Sequence, residues 1–144
     1  MIKYKKYIKN INSSLKKLTV TDNQGKKIVS QDAFIKWCQT VEELREKSGT
    51  LFIIGNGASA AMASHMTADA AKNGGIKCLP LNDVAMLTAT SNDLDYSESY
   101  SNQLDIYGNK DDLLITISSS GNSPNIIKAI KVAEKKKIRV ITLS

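Results

Sequence analysis

The chain has 144 residues, 42% of them apolar, with one histidine, two cysteines and a formal net charge of +6. That size and composition fit one ordinary core, and no run is long and apolar enough for a membrane span or a signal peptide. Residues 1–50 hold eleven Lys and Arg against five Asp and Glu, whereas residues 51–144 hold nine of each. The excess therefore reads as a solvated face of N-terminal helices, and without an aromatic-interleaved basic groove neither nucleic acid nor membrane is expected as a partner.

Tyr4, Ile8, Ile11, Leu15 and Leu18 recur at steps of four and three, with lysines mostly elsewhere on the wheel. This predicts an amphipathic helix of four to five turns, broken at Thr21-Asp22-Asn23-Gln24-Gly25. A second helix starts at Ser30, with Asp32 in its first turn, buries Phe34, Trp37, Cys38, Val41 and Leu44, and ends near Gly49. Such a pair cannot hide its apolar stripes alone, so residues 1–48 are read as a helical segment that packs on the rest and on other subunits. Cys38 on a helix and Cys78 on a strand read as buried free thiols, with a cytoplasmic location as the default.

From residue 49 onward the period changes. Residues 50–54 read as a buried strand, 58–73 as an alanine-rich helix, and 76–81 as a second strand. Residues 83–90 and 97–106 read as helices separated by the polar turn Ser91-Asn92-Asp93. Residues 112–118 form a third strand, a helix follows Ser123-Pro124 to about Lys137, and 138–144 form a fourth strand. Continuous apolar strands alternating with helices predict an α/β, doubly wound parallel sheet, with ligands beyond the strands' C-terminal ends. A doubly wound domain ordinarily continues past such a strand, so a further strand and helix are expected beyond Ser144.

Two turns stand at those strand ends: Gly55-Asn56-Gly57-Ala58-Ser59, and Ser118-Ser119-Ser120-Gly121-Asn122-Ser123-Pro124. Each aims free amides and hydroxyls at one spot beside the positive end of a helix, which suits a phosphate. The first also fits the loose dinucleotide fingerprint, with Asp83 as ribose partner, but that scheme has no place for the serine turn. A cleft for a phosphorylated small molecule uses both turns, and no nucleotide cofactor is expected. His65 and Asp69 share a helix face at i, i+4, a spacing that suits proton transfer or metal binding as well as a plain surface pair. Asp93 is either a turn-and-cap residue or a carboxylate at the cleft mouth. Tyr96, Tyr100 and Tyr107 read as packing residues.

The segments GNGASAAMASHMTAD (55–69), SNDLDYSESYSNQ (91–103) and ISSSGNSPNIIKAI (117–130) resemble the sugar isomerase (SIS) family, and within it the bacterial phosphoheptose isomerases. The resemblance covers about residues 30–144. It implies a flavodoxin-like parallel α/β sandwich of five strands, a homotetramer with N-terminal helices in the subunit contacts, and isomerisation of sedoheptulose 7-phosphate to a heptose 7-phosphate for cell-surface glycans such as lipopolysaccharide or capsule.

Residue by residue, the resemblance implies that Ser118, Ser119, Ser120 and Ser123 hold the phosphate. Asn56, Gly57 and Ser59 line the sugar site, and Asp93 touches sugar hydroxyls. His65 falls at the family's metal-binding histidine, and Asp69 at its catalytic base and metal position, so a zinc ion is implied there. Two departures stand out. The family has glutamate where this chain has Asp69, one methylene shorter, and the family's C-terminal helix, bearing a glutamine and the acid histidine, falls beyond Ser144. The segment up to Ser144 is thus expected to bind a phosphosugar with little turnover. A non-catalytic relative, the replication-initiator-associating SIS protein, shares the phrase LTATSND and offers a regulatory alternative, although the catalytic position is not acidic there and Asp69 is.

Overall fold

The computed structural model describes residues 3–144, which form two compact units divided after Thr40. In the first unit, α1 (Tyr4–Lys16) presents its apolar stripe unburied: Tyr4, Ile8, Ile11 and Leu15 are all exposed. The predicted break is a small antiparallel hairpin, β1 (Val20–Thr21) with β2 (Lys27–Ile28). Asp22 closes it by accepting the amides of Gln24 and Lys26, each at 2.9 Å, and Gly25 supplies the positive φ of 78°. The helix α2 (Ser30–Glu46) begins in this unit and ends in the next.

Two sequence expectations for α2 need correction. Of the five side chains expected inside, Leu44 is fully buried, Trp37 and Val41 are half-buried, and Phe34 and Cys38 are exposed. Within the chain, Phe34 stacks on Trp37 instead, with ring centroids 6.5 Å apart. The face bearing Cys38 meets solvent, so the reading of Cys38 as a buried thiol is wrong. Cys78 is half-buried, and that burial pushes its thiol above its usual range.

The second unit holds a four-stranded parallel sheet in the order β4-β3-β5-β6, from β3 (Leu51–Gly55), β4 (Cys78–Leu79), β5 (Leu113–Ile117) and β6 (Arg139–Leu143). Every residue of β3 and β5 is buried, which requires cover on both faces. On one face Phe52, Ile54 and Leu114 pack with Leu104 of α5 (Ser101–Tyr107) and Ile126, Ala129 and Ala133 of α6 (Pro124–Lys135). On the other, α3 (Ala58–Lys72) lies along β3, β4 and β5 with Ala63 and Thr67 buried. The doubly wound expectation holds.

Below the sheet, at the N-terminal strand ends, the buried carboxylate of Asp112 accepts the amides of Thr50 at 2.7 Å and Asn109 at 2.6 Å. Edge strand β4 is two residues rather than the expected six, because the run ends in Pro80, which has no N–H for a ladder. The expected turn at Ser91-Asn92-Asp93 is the last turn of α4 (Val84–Asp93), which Asp83 caps by accepting the amide of Met86 at 2.9 Å. The chain leaves this helix at Leu94 and makes a 3-10 turn over Tyr96–Glu98.

Candidate functional site: two turns at the sheet's switch point

From β3 the chain crosses to β4 on one side and returns to β5 on the other. The crevice between the C-terminal ends of β3 and β5 is therefore the switch point, where doubly wound sheets bind ligands. Five in-register pairs bring the strands to the same level there, ending at Gly55 opposite Ile117. Gly55 is required for the first turn to fold back: a Cβ on it would stand 2.7 Å from that of Ser59 and 2.9 Å from the Ile117 carbonyl. Gly57 (φ 56°) and Gly121 (φ 64°) take the left-handed conformations that complete the two turns.

In the second turn Ser118 is buried, and its amide donates to the Leu143 carbonyl at 2.9 Å, tying the turn to β6. Its hydroxyl lies 3.5 Å from that of Ser123. The loop is braced from within by the Gly121 amide on the Ser118 carbonyl at 3.1 Å and by two Asn122 donors on Ser120. The amides of Ser119, Ser120 and Ser123 donate to no acceptor among the described residues. Ser119 and Ser120 are exposed, and α6 opens at once behind Ser123, whose hydroxyl makes no capping bond. Unspent amides, the neighbouring Ser118 and Ser123 hydroxyls and a helix N-terminus make this turn a candidate anion cradle.

In the first turn Ser59 is half-buried and Gly57 exposed. Asn56 is held by a reciprocal amide pair with Asn125, each donating its Nδ2 to the other's Oδ1 at 2.9 Å. The Tyr96 hydroxyl donates to the same Asn56 Oδ1 at 3.0 Å, which leaves Asn56 one amide hydrogen for a ligand. Beneath the pair, Tyr100 donates to the Gly55 carbonyl, and burial, helped by the nearby Tyr96, pushes its phenol up to about 12. Glu98 binds Lys128 at 2.5 Å and Ser101, and these bonds hold its carboxyl below the usual range.

His65 and Asp69 do come together: Nε2 and Oδ2 are 3.3 Å apart, with side chains 79% and 57% exposed. Neither makes a hydrogen bond or ion pair with the serine turn; among the described residues the Asp69 carboxylate otherwise accepts only from Asn73. Along α3, His65 lies six residues and Asp69 ten residues beyond Ser59, about 9 Å and about 15 Å of helix axis. Zinc wants three or four ligands, and among the described residues no group of three His, Cys, Asp or Glu converges. The pair alone does not make a zinc site. Asp93 is exposed at the end of α4, where its carboxylate accepts from Asn92 at 2.8 Å.

The sequence reading missed Asn125 and Ser99, and treated Tyr96 and Tyr100 as packing alone. Tyr100 is buried, but its hydroxyl secures β3, whereas Tyr96 is exposed and its hydroxyl secures Asn56. An asparagine just inside a helix that opens on a serine turn was the available signal for Asn125, since that residue type is costly in a helix unless its amide has partners.

Known proteins resemble this chain throughout. The SIS domain family profile matches residues 6–144. The phosphoheptose isomerase of Thermodesulfovibrio yellowstonii is 40% identical over 120 residues, covering 76% of this chain and 60% of that protein. That of Helicobacter pylori strain 26695 is 35% identical over 120 residues, covering 79% and 62%. The chain thus spans about three fifths of the length of these curated relatives. The structure of phosphoheptose isomerase GmhA from Neisseria gonorrhoeae matches with a TM-score of 0.70 at 33% identity, over 75% of this chain and 59% of that one. A phosphoheptose isomerase structure from Francisella tularensis, at 24% identity and a TM-score of 0.62, shares the fold. The chain belongs to the SIS domain family.

Proposed function

We propose that the protein binds a sugar phosphate at the switch point and acts as an aldose–ketose isomerase of the phosphoheptose isomerase type. One observation carries the reading: two glycine-and-serine turns leave neighbouring strands at the same level, and one of them keeps free amides over a helix N-terminus. Ser118, Ser119, Ser120 and Ser123 take the phosphate, while Asn56, Gly57 and Ser59 face the sugar. The relatives named above, phosphoheptose isomerases by name, support a phosphorylated heptose as the substrate class, and sedoheptulose 7-phosphate with heptose 7-phosphate is the pair of this proposal. A role in making heptose for surface glycans, in the cytoplasm, belongs to the same proposal. So does reduced Cys38 and Cys78, since thiols stay reduced there.

Such an isomerisation needs a base to take the proton beside the carbonyl and an acid to protonate the enediolate oxygen. Asp69 is the base in this proposal. Its exposure and its distance from Ser59 along α3 favour action on a ligand held by a second copy, within a homo-oligomer for which a tetramer is the expectation. His65 and Asp69 offer two donors of the right chemistry for zinc; the remaining ligands would come from outside the described residues, and no step is assigned to the metal. No observation favours the regulatory alternative, and a carboxylate at residue 69 speaks for the enzyme.

The test is calorimetric titration of the full-length gene product with sedoheptulose 7-phosphate, followed by a conversion assay with and without zinc. Saturable binding and heptose 7-phosphate formation are expected. Binding without conversion moves the protein to the regulatory reading, and no binding removes both.

A further inference from the structure

Asn125 is 1% exposed and spends every hydrogen-bonding position of its side chain. Its Oδ1 accepts the Ile126 amide at 3.0 Å and Asn56 Nδ2 at 2.9 Å; its Nδ2 donates to Asn56 Oδ1 at 2.9 Å and to Ser99 Oγ at 3.3 Å. The Ile126 bond fixes the amide's orientation, because a backbone N–H can only donate and the atom facing it must be the oxygen. Nδ2 therefore faces Asn56, and the Asn56 oxygen must face it in return. Nothing on the Asn125 side chain remains for a ligand.

Position gives this pair its meaning. Asn56 belongs to the turn after β3, and Asn125 lies two residues beyond Ser123, in the first turn of α6 after β5. The amide pair is thus a side-chain bridge between the two rims of the crevice. The serine turn holds its own shape by other means, through Ser118 on β6, Gly121 on Ser118 and Asn122 on Ser120.

We propose that Asn125 is a positioning residue: acting through Asn56, it sets the separation of the two turns, and so governs affinity for a ligand that spans both but not for one held by the serine turn alone. This rests on the sugar-phosphate reading above. It adds a role for a residue that touches no substrate.

The experiment compares two probes, inorganic phosphate and sedoheptulose 7-phosphate, by calorimetry on the wild type, Asn125→Ser and Asn125→Asp, with melting temperatures measured alongside. Asn125→Asp keeps the size and the acceptor toward Ile126 but sets an oxygen against the Asn56 oxygen. For Asn125→Ser the expected result is a loss of about tenfold or more for the sugar phosphate, with inorganic phosphate within about threefold of wild type; Asn125→Asp, whose carboxylate also repels both anions, should lose more of the sugar phosphate than of inorganic phosphate. An equal loss for both probes, or none for either, overturns the proposal, as does failure of both variants to fold, which would assign Asn125 to stability alone. A wild type that binds the sugar ester no more tightly than inorganic phosphate overturns it while leaving the anion cradle standing. A wild type that binds neither probe removes the sugar-phosphate reading and the positioning role together.

Discussion

Tyr100 gives its phenolic hydrogen to the carbonyl of Gly55, the last residue of β3, from beneath the turn that carries Asn56. Burial is the main reason its phenol is raised from 10 to about 12. The sign follows from linkage: ionisation is harder in the folded chain than in the unfolded one, so the stabilisation is whole below pH 10 and is lost as pH rises through about 12. In an ultraviolet titration Tyr100 should ionise last of the five tyrosines, together with alkaline unfolding. Tyr100→Phe should remove that late step and lower stability by about 1 kcal/mol at neutral pH. A full set of tyrosines titrating before unfolding would contradict the bond.

Ser118 and Ser123 face one another across the cradle. Replacing either with alanine should weaken sugar-phosphate binding by about tenfold, the effect of one hydrogen bond to a charged group. The melting temperature of the free protein should change little, since Ser118's tie to β6 uses its backbone amide. Calorimetry and thermal melts together check this.

Asp69 is one methylene short of glutamate. If its carboxylate serves as the base, Asp69→Asn should abolish conversion while leaving sugar-phosphate affinity within about twofold, and Asp69→Glu should raise kcat, because reach is worth more in the transition state than in the ground state. Mixed oligomers offer a second check. Chains disabled at Ser118 and Ser123, combined with chains disabled at Asp69, should recover activity that neither shows alone, if cradle and base come from different copies. A mixture as inactive as its parents would return Asp69 to an ordinary surface pair with His65.

The Asp112 carboxylate is buried and collects two backbone amides at the N-terminal ends of the strands. Asp112→Ala strands those amides and should lower stability by about 2–4 kcal/mol, read as a lower urea midpoint. Asp112→Asn should cost less, since its one oxygen can still accept.

Strands β3 and β5 were legible because both faces of each are covered, which forces an unbroken apolar run; that is also why the serines after β5 stood out as chemistry rather than packing. The hairpin at Val20–Ile28 was not, since two-residue strands are too short to show a period. The end of α4 was misplaced because polar residues in a last helical turn look like a loop until Leu94 is seen to leave the helix. Cys38 and Phe34 obeyed the helical stripe, but a stripe tells which side of a helix is apolar and not whether this chain covers it. Asn125 left a local signal, an asparagine just inside a helix, but its partner did not: Asn56 lies 69 positions earlier, and a bridge of that span has no pattern that names its other end.

Gly55 and Ile117 occupy one rung of a parallel ladder. Neighbouring strands in any such sheet stand about 4.8 Å apart, so the gauge at the floor of the crevice, below the turns that Asn56 and Asn125 tie together, is a constant of the backbone and carries no information about which sugar belongs there. A three-carbon ester and a seven-carbon ester would meet the same footing. Selection by chain length must therefore be exercised farther out, by surfaces that can be exchanged without disturbing a single hydrogen bond of the sheet.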